Sequence, residues 1–180
     1  VSNARSLWAT LHDGRLERVR IEDGVVCLIV DVPHVRHHAK LPKEARFCIR
    51  AAGQPSLSAL RWCEPAAPRP TGNDTAAYTA WSALGTMRSI DWNAFAVSLE
   101  AANAKLDIVE AEQEPCGARM ALTLGGDYRG PLAAYAWMQI RVEAERITFA
   151  HEGGDEIPVD AFGALGEAYW EAWRARSGAG

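Results

Sequence analysis

The 180-residue sequence has no apolar run approaching the roughly 18 residues that a membrane-spanning helix needs, so no membrane association is expected. Its four cysteines (Cys27, Cys48, Cys63 and Cys116) contain no C-x-x-C pair, which removes the usual zinc-ribbon and thioredoxin-like readings. A chain of this length does not depend on disulfides, and the thiols read as reduced in a cytoplasmic protein, with one bridge between neighbouring strands left open. There is no excess of positive charge: a formal net charge of -4 argues against an electrostatic nucleic-acid binder. Neither a G-x-S-x-G elbow nor an H-E-x-x-H motif is present. The glycine-rich run 125–130 leads into another strand, not into a helix whose N-terminal amides could hold phosphate. No stretch names an activity, and no cofactor is implied.

What is present is a sheet. Residues 15–32, RLERVRIEDGVVCLIVDV, read as two strands joined at Asp23-Gly24, because a two-residue type I′ turn needs positive φ at both central positions. Val19 and Ile21 alternate with Arg18, Arg20 and Glu22, the pattern of a strand with one wet face. From Val25 to Val32 nearly every residue is apolar, which suits a strand inside the sheet and covered on both sides.

Residues 1–4 contain Ser-Asn-Ala, read as an expression-tag remnant, and are set aside. Residues 5–12 read as a short opening helix or a strand lead-in. Pro33 and Pro42 bracket a polar stretch expected as a surface loop. Residues 45–64 read as a second hairpin, and the Pro-rich segment 65–74 as a linker and the candidate boundary between half-domains of a single domain over 5–180. Two helices follow, capped by Asp74 or Asn73 and by Asp91 or Ser89. Four strands come next, with turns at 114–117 and 125–127. A closing helix carries Val159, Phe162, Leu165, Tyr169 and Trp173 as its apolar stripe. The expected fold is α+β: a mainly antiparallel sheet of about eight strands, two central helices and a C-terminal amphipathic helix on the sheet.

The densest polar cluster is Asp31, His34, His37 and His38, residue types that suit zinc. Arg36 and Lys40 would repel a cation there, and a solvated loop is the leading reading. Cys48, between Arg46 and Arg50, is the thiol with the most electropositive sequence setting. Tryptophan is abundant, with seven residues, most of them on expected core faces. Trp170 falls outside the closing helix's stripe. Trp137 shares a strand face with Tyr135, Gln139 and Arg141, so Tyr135, Trp137, Arg141 and Trp170 are the candidate partner contacts.

The opening L-H-D-G-x-L-x-x-V (residues 11–19), the strand end Leu60-Arg61-Trp62 and the C-terminal Tyr169-Trp170-Glu171-Ala172-Trp173 resemble small bacterial α+β proteins grouped with the immunity proteins of polymorphic toxin systems. That resemblance implies binding of a cognate protein without catalysis. The expectation is therefore a non-enzymatic interaction protein that presents a sheet face or loop to a protein partner. The competing expectation is a metal- or small-molecule-binding protein using the 31–38 segment or a tryptophan-lined groove. Oligomeric state is left open.

Overall fold

The strand β1 (Arg15–Glu22) meets β2 (Val25–Asp31) across Asp23 and Gly24, which hold φ of 51° and 76°, as the Asp-Gly turn requires. In this computed structural model, which describes residues 3–178, the hairpin is one piece of a ten-stranded sheet. The other strands are β3 (Phe47–Ala52), β4 (Ser56–Cys63), β5 (Thr86–Ile90), β6 (Lys105–Cys116), β7 (Arg119–Gly130), β8 (Ala133–Ala144), β9 (Arg146–His151) and β10 (Glu156–Ile157). The helices are α1 (Asn3–Leu11), α2 (Pro33–His38), α3 (Thr75–Ser82), α4 (Trp92–Ser98) and α5 (Val159–Ser177). Across the sheet the order is β10-β9-β3-β2-β1-β6-β7-β8-β4-β5, with every pairing antiparallel. None of the described helices is long and apolar enough to cross a membrane.

Register sorts side chains into an inner and an outer face. Val19, Leu28, Ile49 and Phe149 lie side by side across four strands and point inward, where Leu28, Ile49 and Phe149 are almost wholly buried. Phe162 of α5 stacks on Phe149 at 4.6 Å and meets Phe47 edge-on at 5.3 Å. Burial of each such side chain stabilises the fold by about 1.5–3 kcal/mol. As expected, β2 lies inside the sheet. On its outer face Ile29 lies between Arg18 and Cys48, and Arg18 and Arg20 both reach Glu152, at 3.3 and 3.2 Å. The aliphatic stems of such charged side chains can shield an apolar residue.

Four expectations need correction. First, residues 45–64 do not form a hairpin: β3 pairs with β2 and β9, whereas β4 pairs with β8 and β5. β3 turns into β4 at 53–55, and β8 turns into β9 at Glu145, so two long strands run side by side through one corner, with the Glu145 amide donating to the Gly53 carbonyl. Bends of this kind let strands pass from one packed layer to another. The sheet accordingly curls around its core until β7 touches β9 and β3 touches β8. Second, the stretch after Asp31 is helical because Pro33 occupies the first turn, where its missing N–H costs nothing; Val35 is buried there.

Third, residues 125–127 lie within β7, not in a turn. Gly126 passes so close to the Asp107 carbonyl, beside a bulge between Ile108 and Glu110, that any side chain would collide with it. Fourth, α5 turns Phe162, Gly163 and Gly166 inward, while Trp173 at its far end is 46% exposed. The short strands β5 and β10 and the helix α2 raise the element count above the expected one.

Both central helices form where expected, with Asp74 and Asp91 accepting from the Ala77 and Ala94 amides. The proline-rich segment 65–74 connects β4 to α3, and β4 and β5 on either side of that excursion pair directly. Helix α1 packs on α5 and along β6, where Trp8 Nε1 donates to the Val109 carbonyl at 3.1 Å. The residues set aside at the start divide: Asn3 and Ala4 begin α1, and Val1 and Ser2 lie outside the described residues.

Candidate functional site

On the outer face of β8, alternation puts Tyr135, Trp137, Gln139 and Arg141 in one row, and β4 and β7 add to it on either side. Between that face and α3 lies an open groove of about 760 Å³. Its walls are Trp62, Tyr78, Tyr135 and Trp137, with Arg69 on the proline-rich segment, Asp127 on β7 and Arg61 on β4, whose guanidinium donates to the Leu132 carbonyl at 3.4 Å. Trp62 rests against Gly85, just beyond α3, and meets the buried Trp81 edge-on at 5.8 Å. Trp81 is anchored by its indole N–H to the Ala67 carbonyl at 2.8 Å, which fixes the proline-rich segment above it. Arg69, on that segment, lies 5.3 Å over Tyr78 and 5.8 Å over Trp81, within cation–π range.

The polar groups in and beside the groove are defined. Tyr135 donates its hydroxyl to Asp127 at 2.7 Å, and this bond, more than burial, raises the phenol's pKa. Trp137 leans over Gly125, whose lack of a side chain leaves room for the indole. Arg141, two outward-facing positions past Trp137 on β8 and outside the groove, is clamped by Glu143 at 2.8 Å and Glu114 at 2.9 Å. Those carboxylates, Glu143 first, raise the guanidinium's pKa, while Arg141 lowers that of Glu143. Cys63 turns its thiol toward its own strand's Arg61 carbonyl at 3.8 Å.

Of the four candidate partner contacts, the structure brings Tyr135 and Trp137 into the groove and leaves Arg141 outside it, farther along the same strand face. Trp170 stands apart on α5, where its indole N–H donates to the Ala9 carbonyl at 2.8 Å and its ring meets His34 at 5.8 Å. It ties two helices together. Its neighbour Trp173 and the 41% exposed Trp8 flank a smaller cleft, of about 580 Å³, between α1 and α5.

The candidates of the 31–38 segment diverge. Asp31 is buried, with Oδ1 2.9 Å from Arg36 and 3.7 Å from Arg46, close enough for strong attraction although not aligned as a hydrogen bond. His34 packs against Tyr169 at 4.8 Å, and burial lowers its pKa. His37 and His38 face solvent. Among the described residues no three of His, Cys, Asp or Glu converge as a metal ion would require. The four cysteines are unbridged, and burial, reinforced by Cys27 on the next strand, pushes the Cys48 thiol up to about 12, the opposite of activation.

Sequence reasoning missed Trp62, Tyr78 and Asp127. Trp62 read as core, and only the pairing of β4 with β8 brings it beside Trp137. Asp127 read as part of a turn.

Fold and groove define an antiparallel α+β protein with an aromatic recess on the outer face of its sheet. No family model, curated protein or solved structure matches the chain.

Proposed function

We propose that this is a non-enzymatic docking protein that receives a protein partner on the outer face of β4, β8 and β7. The observation that carries the reading is the convergence of Trp62, Tyr78, Tyr135 and Trp137 on one open recess. Large, stiff aromatic side chains in a recess ringed by polar groups are the usual energetic centre of protein interfaces. The resemblance to immunity-type proteins, which act by binding, supports the same reading.

The test is a selection of displayed peptides on the folded protein, followed by Trp137→Ala. Loss of a central aromatic anchor costs about 2 kcal/mol or more, so the selected binders should weaken about 30-fold. Trp173→Ala, at the other end of the molecule, should leave them unchanged. Binders indifferent to Trp137→Ala would exclude the groove.

A second reading rests on volume, since small-molecule sites span roughly 300–1,000 Å³ and this groove falls within that range. A small ligand confined to the groove would ignore Arg141→Ala. A docked protein would register it.

A further inference from the structure

The outer face around Trp137 holds two carboxylates without a cation. Asp127 stands directly across from Asp107 on the neighbouring strand. Like charges in that position repel. Asp107 is neutralised by Lys105 at 2.9 Å and Arg15 at 3.3 Å, whereas Asp127 has the Tyr135 hydroxyl and, among the described residues, no cationic group within 4 Å. Glu110, across from Gly125, likewise has no ion-pair partner among the described residues. A methyl group built on Gly125 would lie 3.1 Å from the Glu110 carboxylate and 3.2 Å from the Trp137 ring, so carboxylate and indole border the same small space. One of the groove's other rings already shows what it accepts: Arg69 places its guanidinium over Tyr78, and over the buried Trp81 beside it.

Resting on the docking reading above, we infer that the partner inserts an arginine side chain, its guanidinium seated on the Trp137 indole and held by Asp127 and Glu110. The planar guanidinium stacks on an aromatic face and offers a fork of donors that carboxylates accept, which a lysine ammonium does not. Glu112 continues the acidic row along β6 beyond the groove, exposed and without an ion-pair partner among the described residues. That continuation favours an extended basic segment over an isolated small cation. Arg69 lines the same recess, and its charge opposes the incoming guanidinium.

The test titrates the full chain with blocked oligo-arginine, oligo-lysine, oligo-glutamine and oligo-glutamate peptides, read by calorimetry and by the Trp137 indole resonance. Oligo-arginine should bind saturably and move that resonance, with oligo-lysine about two- to fivefold weaker. Asp127→Asn and Glu110→Gln should each lower the affinity about fivefold or more, and Arg69→Ala should raise it about two- to fivefold. Unchanged affinity in both carboxylate variants would overturn the inference. Oligo-glutamine or oligo-glutamate moving the Trp137 resonance as strongly as oligo-arginine would also overturn it, and would leave the docking reading in place. If no peptide moves that resonance, both fall.

Discussion

Gly166→Ala should destabilise the protein, although alanine is the better helix former. At this position α5 lies on α1 so closely that a Cβ would sit 2.4 Å from Thr10 N and Cα and 2.5 Å from the Ala9 carbonyl carbon. Ordinary carbon contacts lie at about 3.5–4.0 Å, so the helices must part by about 1 Å, and the obstacle is backbone that cannot rotate away. Forcing a methyl group into a packed contact costs about 1–3 kcal/mol. Parting the helices also stretches the Thr10 hydroxyl's contacts with the Phe162 and Gly163 carbonyls, at 2.9 and 3.1 Å, and the Trp170 bond to Ala9. The hydroxyl has one proton to share between its two carbonyls, so it and the Trp170 N–H each contribute about 1 kcal/mol. Against this, removing a glycine from a helix interior returns about 1 kcal/mol. The balance is a loss of about 2–4 kcal/mol. Urea unfolding followed by tryptophan fluorescence and far-ultraviolet dichroism measures it. The reverse exchange at the exposed Ala164 calibrates the propensity effect alone, at about 1 kcal/mol. A Gly166→Ala protein as stable as the parent, or more so, would refute the close contact between α1 and α5.

Three further outcomes follow from the buried polar groups. Asp31→Ala leaves Arg36, 16% exposed, without its carboxylate, while Arg46 keeps Glu17 at 2.7 Å; it should cost about 2–4 kcal/mol in urea unfolding without changing metal content, and a loss of stoichiometric metal would restore the metal reading. Burial lowers the His34 pKa, so the unfolded chain takes up its proton first, and stability should fall as pH drops through about 6.5 toward the lower folded value. His34→Gln should flatten that slope, and an unaltered slope would place its origin elsewhere. Cys48, pushed up to about 12, should resist iodoacetamide in the folded protein at mildly alkaline pH and react once unfolded, which peptide mass mapping reads directly.

Features set by neighbouring residues were legible in the sequence. Asp23-Gly24 specifies its own turn, Asp74 and Asp91 their own caps, and the apolar run from Val25 its place inside a sheet. Features set by distant pairing were not. The strand around Ile49 was visible, but its partners Leu28 and Phe149 lie 21 and 100 residues away, and nothing local forbade a hairpin with residues 56–63. In α5 the search for large apolar side chains favoured Tyr169 and Trp173, whereas the face against α1 is marked by small residues, Gly163 and Gly166, which leave no hydrophobic signal. Half of the groove was readable as the alternating Tyr135 and Trp137. Its other wall needed the register of β4 on β8 and the placement of α3.

The paired bends at Gly53 and Glu145 bear on how the molecule comes apart. Each bent strand contributes hydrogen bonds to both arms of the curled sheet, so neither arm can melt and keep the other intact without tearing a ladder that continues around the bend. Heat or denaturant applied to the arm holding the aromatic recess is therefore felt by the arm beneath α5, and the two should be lost in one step.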